Sequence, residues 1–285
     1  LGDQISESHP QKFTHMPLLP VRDENGEWVK VAIALPGRKV TAKAWQVNVG
    51  RIPLYLLDTD VEENSMEDRA ITYQLYGGDN EHRLKQEMML GLGGARLIKK
   101  IGLKPQIYHL NEGHSAFSGL ERVRELMERE GLDFHTAAEV VKSSSLFTTH
   151  TPVPAGHDYF EEHLMRAYLS HFSEFFNLDW NEFVGLGRFN PHNHSEKFSM
   201  SVLATRLSQQ INGVSEIHGR VSRDMFEPLY PGYYPEEIHI GHVTNGVHYF
   251  TWTDKVWQDL YRNTFGGEFE KDQPNVKYWE KIYDV

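Results

Sequence analysis

The period of the hydrophobic positions changes along this chain. Residues 29–35 (VKVAIAL) and 40–47 (VTAKAWQV) alternate apolar with polar on either side of Pro36-Gly37, which predicts a β-hairpin. Residues 52–57 (IPLYLL) form a short apolar run that reads as a more buried strand. From Glu81 the spacing becomes helical. Leu84, Met88, Leu92, Leu97 and Ile98 share a face, and Gly102 is placed to end the helix. Gly93 and Gly94 each cost roughly 1 kcal/mol relative to alanine inside a helix, so they point to close packing against another backbone. Strands at 106–110, 145–148, 213–216 and 238–243 then alternate with helices at 115–130, 134–142, 159–176, 200–211 and 253–261. That alternation predicts an α/β fold, a mostly parallel sheet with helices on both faces, with the β-hairpin as an extension. Residues 1–28, broken by Pro10, Pro17 and Pro20, read as an irregular entry segment, and 29–285 as one domain.

Charge narrows the partners. The 29 basic and 40 acidic residues give a formal charge of -11, with no Lys/Arg cluster to offset it. A nucleic-acid or anionic membrane surface is therefore not expected. No apolar run is long enough to span a bilayer and no basic-then-apolar leader opens the chain, so a cytoplasmic protein is expected. The absence of cysteine excludes disulfides, thiolate metal sites and a cysteine nucleophile within these 285 residues.

The 16 histidines carry the candidate chemistry. Asn111-Glu112-Gly113-His114 follows one strand, Thr149-His150-Thr151-Pro152 a second and Thr244-Asn245-Gly246 a third. Asn212-Gly213-Val214-Ser215 makes a looser fourth case. Ligands of doubly wound sheets bind outside the carboxyl ends of the strands. Asn, His, Thr and a carboxylate suit a polyhydroxyl ligand, whose hydroxyls both donate and accept. Three chemistries compete. Metal binding through His150 and His157, or His192 and His194, fits no standard zinc spacing. Hydrolysis by two carboxylates would use Glu112 and Asp158, which the spacing neither supports nor excludes. Sugar transfer would need a protein that positions a glycosyl unit and supplies oriented dipoles. No GxSxG, P-loop or GxGxxG motif is present.

Residues 109–117 (HLNEGHSAF), 147–158 (FTTHTPVPAGHD), 212–223 (NGVSEIHGRVSR) and 243–252 (VTNGVHYFTW) resemble the α-glucan phosphorylase family, which includes glycogen and maltodextrin phosphorylases. Residues 83–87 (RLKQE) and 55–58 (YLLD) fit it in the same order, and the variants resemble its shorter bacterial and archaeal branch. The resemblance implies a two-domain, Rossmann-like glycosyltransferase of the GT-B type. Such an enzyme cleaves α-1,4-glucan with inorganic phosphate, retains configuration, releases glucose 1-phosphate and carries pyridoxal phosphate. It assigns His150 as the catalytic-site histidine, with its carbonyl facing the oxocarbenium charge. Asn245 is assigned to a glucose hydroxyl, Val214 to a backbone contact with the sugar, and Glu112 and His114 to the pocket lining. His218 matches a family histidine to which the resemblance gives no role. No Gly-rich phosphate loop precedes Val31, and no lysine sits in the family's Schiff-base context. The expectation is therefore an excised amino-terminal half that lacks the carboxyl-terminal cofactor domain, binds no pyridoxal phosphate and is inactive alone. The alternative is a non-catalytic glucan-binding or assembly module.

Overall fold

The structure is a computed structural model that describes residues 9, 11–75 and 77–284. The chain divides into two compact units, Leu1–Val243 and Thr244–Val285. Among the described residues no helix is long and apolar enough to cross a membrane.

In the first unit the alternating stretch forms a four-stranded antiparallel sheet. Its strands are β1 (Leu19–Pro20), β2 (Lys30–Leu35), β3 (Arg38–Val49) and β4 (Ile52–Asp58), with β3 pairing to each of the others. Gly37 turns the expected hairpin with φ +70°, a conformation open to glycine at little cost. Val31, Ile33, Leu35, Val40, Ala42 and Ala44 are buried, so the alternation faces one side inward. β4 departs from expectation. Ile52, Leu54 and Leu56 are 59, 47 and 38% exposed, because β4 is an edge strand that packs only its other face, through Tyr55 and Leu57.

The helical run 80–100 is continuous but contains an irregular turn. Helix α1 (Met66–Arg69) precedes it; α2 (Asn80–Met88) passes through a π-turn at Met89–Gly93 into α3 (Gly94–Lys100). The close approach to another backbone falls on Gly91. A Cβ there would lie 2.8 Å from the Ser118 nitrogen, whereas one on Gly93 would meet the side chains of Met89 and Leu57, and one on Gly94 would meet nothing. The glycine pair read from the sequence is thus misplaced, since helical spacing alone cannot show which face the next helix crosses.

Strands β5 (Tyr108–Asn111), β6 (Ser145–Thr149), β9 (Gln210–Gly213) and β10 (Ile240–His242) form a parallel sheet in the order β10-β9-β6-β5. The pairings Asn111↔Thr148, Thr149↔Gly213 and His242↔Gly213 bring the carboxyl ends of all four strands to one edge. Helices α4 (Phe117–Glu130), α5 (Phe134–Ser143), α6 (Glu162–Phe176), α7 (Trp180–Gly185), α8 (Met200–Arg206) and α9 (Glu216–Phe226) complete the unit. The strand expected at 213–216 begins three residues earlier, and the helix expected over 200–211 stops at Arg206. Ser215 caps α9, a helix absent from the sequence reading, by accepting the His218 N–H. The helix expected from 159 starts at Glu162, because β7 (Tyr159–Phe160) pairs with β8 (Phe198–Ser199).

The second unit holds α10 (Tyr249–Trp252), α11 (Lys255–Phe265) and α12 (Val276–Trp279) around Phe265, Phe269 and Tyr278.

Candidate functional site

The carboxyl edge of the parallel sheet is organised by one carboxylate. Immediately after β5, Glu112 adopts φ 72°, which is strained for a residue with a side chain. The strain is held by hydrogen bonds. One carboxylate oxygen accepts the His150 N–H at 2.7 Å and the Thr151 hydroxyl at 3.0 Å, and the other accepts the Gly113 N–H at 3.2 Å. Its own N–H donates to the Thr148 carbonyl at 2.8 Å. Glu112 is buried, so these charge-assisted bonds join the ends of β5 and β6 in a water-poor setting. Gly113 is required next in sequence, since a Cβ would stand 2.9 Å from Ser201 Oγ and 3.1 Å from Ser201 N.

His150 is half-buried at this edge. Its Nε2 lies 2.6 Å from Asn111 Oδ1, an acceptor, which places the proton on Nε2 and leaves Nδ1 as the accepting nitrogen. A row of side chains crosses the strands beside it. His109 Nε2 donates to Thr148 Oγ1 at 2.7 Å, and Thr148 Oγ1 donates to Asn212 Oδ1 at 3.3 Å. After β9, the Val214 N–H donates to His218 Nδ1 at 3.2 Å, so the Val214 carbonyl is what the turn leaves for a ligand. His218 therefore carries its proton on Nε2, a buried atom without a hydrogen-bond partner among the described residues. Its geometric part is to hold the 213–215 turn.

His114 belongs to a different assembly. Its Nδ1 is 2.8 Å from Asp158, 3.4 Å from Glu87 and 2.8 Å from Arg83 Nη2, and Arg83 reaches Glu87 at 3.1 Å and Asp158 at 3.2 Å. Burial pushes the Glu87 carboxyl up to about 7. The hydrogen bond to Asp158, helped by Glu87, pushes the His114 imidazole up to about 9. Burial works against ionisation of Asp158, yet hydrogen bonds from His114 and Arg83 hold its carboxyl well below the ordinary carboxylate range. Ligand atoms of Glu87, His114 and Asp158 lie within 4.8 Å of one another, and the Arg83 guanidinium contacts all three. Arg83, Glu87 and His114 form one polar wall of an otherwise largely apolar cavity of about 530 Å³, lined also by Tyr55, Ile71 and Leu97.

Of the residues expected to form the site, Glu112, His150 and Val214 therefore meet at the sheet edge, Glu112 as a buried clamp. His114 faces the cavity. Asn245 is exposed and belongs to the second unit. His192 and His194 lie in the loop closed by Asn190 and Asn193 side chains. Of the carboxylate pair Glu112 and Asp158, Glu112 is tied to the loop, since both its oxygens accept from fixed donors, and Asp158 belongs to the assembly around His114. Arg83 and Glu87 were given no role by the sequence; RLKQE was matched to the family only as a stretch, and its physical signal was an i,i+4 charge pair. Among the described lysines, Lys85 does not suit a Schiff base with pyridoxal phosphate. It is buried and ion-paired with Glu67 and Glu81, and against burial these partners raise its pKa, the reverse of what imine formation needs.

Comparison with known proteins places these residues in context. The family model described as carbohydrate phosphorylase matches residues 94–284. The chain is 43% identical over 282 residues to a glycogen phosphorylase of Mycobacterium tuberculosis, covering 95% of this chain and 32% of that protein. It is 42% identical over 292 residues to a maltodextrin phosphorylase of Thermococcus litoralis, covering 98% and 34%. It is 35% identical over 270 residues to a glycogen phosphorylase of Aquifex aeolicus, covering 95% and 38%. The chain thus spans about a third of the length of these relatives.

Proposed function

The chain belongs to the carbohydrate phosphorylase family, and from that premise we propose that it supplies the glucosyl-binding edge of an α-glucan phosphorylase. The whole enzyme would transfer a glucosyl unit from the non-reducing end of α-1,4-glucan to inorganic phosphate, with retention, giving glucose 1-phosphate. In this reading the parallel sheet is the core of an amino-terminal GT-B domain, Rossmann-like and flanked by helices on both faces. The cofactor domain lies in the part of the protein outside these residues. Pyridoxal phosphate would contribute proton transfer through its phosphate group, held by residues of that other domain.

The observation that carries the proposal is the bond from His150 N–H to buried Glu112. A glucosyl unit losing its leaving oxygen develops positive charge at the anomeric carbon and ring oxygen. A backbone carbonyl fixed beside it stabilises that charge mainly in the transition state, and so raises turnover more than affinity. Glu112 holds the backbone of the His150 loop on its N–H side. Pro152 keeps Thr151 extended. Asn111 fixes the ring so that His150 Nδ1 can accept a sugar hydroxyl. The Val214 carbonyl would take a further hydroxyl, and Asn245 keeps the glucose-hydroxyl role that the family resemblance gives it. His114, held charged by Asp158, lines the space beside the sugar.

The test uses the full-length protein with maltodextrin and phosphate. Phosphate-dependent appearance of α-glucose 1-phosphate supports the reading. Glucan binding with no phosphorolysis would favour a non-catalytic glucan-binding or assembly module instead.

A further inference from the structure

Asparagine is among the least durable residues of a polypeptide, above all before glycine. With no Cβ on the second residue, its backbone nitrogen swings easily onto the asparagine Cγ. The chain holds three such pairs, Asn25-Gly26, Asn212-Gly213 and Asn245-Gly246, and the fold treats them differently.

The first pair lies in a closed turn. The Gly26 N–H donates to the Asp23 carbonyl at 3.0 Å and the Asn25 N–H to Asp23 Oδ1 at 2.9 Å, while Arg22 holds the Gly26 carbonyl at 2.7 Å. The second pair ends β9, between β6 and β10. Asn212 Oδ1 accepts from Thr148, and Gly213 is packed so closely that a Cβ would lie 2.8 Å from the Gly219 nitrogen. Asn212 cannot fold onto its own backbone without opening the sheet. The third pair is different. Residues 243–248 belong to no helix or strand, Asn245 and Gly246 are both exposed, and a Cβ on Gly246 would meet nothing within 4 Å. Among the described residues neither the Asn245 side chain nor the Gly246 N–H has a hydrogen-bond partner. The glucose-hydroxyl role given to Asn245 requires the same openness, since its amide must meet solvent whenever the sugar is away.

We propose that Asn245 is a spontaneous modification site, which converts to aspartate or isoaspartate and thereby ends sugar binding at this position; the loss of sugar binding rests on the phosphorylase reading. The Gly246 nitrogen, after giving its proton to solvent base, attacks Asn245 Cγ. The N–Cγ bond forms, the Cγ–Nδ2 bond breaks, and ammonia leaves with a proton taken from water. Water then adds to either carbonyl of the five-membered imide. Opening at one carbonyl gives aspartate; opening at the other reroutes the chain through the side chain and gives isoaspartate. One water is consumed and one ammonia released, with no change of oxidation state. The amide donor is lost and a negative charge takes its place.

The experiment holds the full-length protein in mildly alkaline buffer. Peptide mass spectrometry follows the three asparagines together while phosphorolysis is assayed on the same samples. Asn245 should convert about five- to tenfold faster than Asn25, the factor by which one backbone hydrogen bond holds back the attacking nitrogen. Asn212 should be slowest. Hydroxylamine, which opens the imide, should cut the chain after Asn245, and turnover should fall in step with conversion there. Gly246→Ala, whose Cβ meets open space, should slow by about fivefold both the conversion at 245 and the decay of that variant's own starting turnover. No conversion at 245, conversion of Asn25 or Asn212 ahead of it, or a Gly246→Ala variant that converts as fast as the parent would overturn the site. Conversion at 245 with turnover unchanged would overturn the loss of sugar binding, and with it the role given to Asn245, while the modification site stood. The mass readout needs no activity, so it decides the site even where phosphorolysis is absent.

Discussion

Glu112 and Glu87 are both buried carboxylates of the first unit, yet they are held in different ways. Glu112 accepts from two backbone N–H groups and a hydroxyl, and its role is geometric. Glu87, on the helix 80–100, faces Arg83, His114 and Asp158, and its role is electrostatic. In the first region polar groups are spent on the backbone and fix a loop. In the second they are spent on one another, and their proton affinities move. A buried acid at a strand end can therefore be a positioning residue, while a less conspicuous one on a helix sets the titration of its surroundings.

The largest effect is expected at the strand end. His150→Ala removes an oriented polar contact to the sugar, and turnover of the full-length enzyme should fall about 100- to 1000-fold. The melting temperature should change little, since the ring is only half-buried. A large loss of stability with near-normal turnover would make His150 structural and break the contrast.

The helix region should answer to pH. Glu87 binds its proton more tightly when folded, so stability should decline as pH rises from about 4.5 to about 7 and then level off. His114 contributes stability that is fully present below about 6.5 and lost as pH rises through about 9. Asp158, held low, contributes stability that is lost only in acid. Glu87→Gln should remove the lower part of the decline, roughly 1–3 kcal/mol, and leave the upper part. Denaturant unfolding at a series of pH values measures this. A profile with the same slope below pH 7 would show that Glu87 does not titrate there.

Two glycines sharpen the contrast within the helix. Gly91→Ala forces a Cβ against the Ser118 backbone and should destabilise by about 1–3 kcal/mol. Gly94→Ala meets open space and should stabilise by about 0.5–1 kcal/mol. Equal melting temperatures for the two variants would contradict the packing described for the π-turn.

The hairpin was legible because six alternating apolar positions face one core. The strand-end clusters were legible because each set His, Asn or Thr directly after an apolar run, three of them with a glycine. The charge cluster was not. Its members stand at 83, 87, 114 and 158, and only the fold brings them within bonding distance. α9 was missed because β9 contributes just four residues, which blurred into the preceding helix, although Ser215 carried a capping signal. Glu112 was read as a ligand contact because its residue type suits a sugar. Only its positive φ and its bonds across to β6 show what it holds.

The account turns on Glu112 acting through the His150 backbone, and Glu112→Gln tests that directly. The amide keeps the size of the side chain but cannot accept from all three donors. Steady-state phosphorolysis by the full-length enzyme should show kcat reduced by about tenfold or more with KM for glucan nearly unchanged, the signature of an interaction realised in the transition state. A raised KM with kcat intact would mean that Glu112 contacts the sugar itself, and would contradict the account.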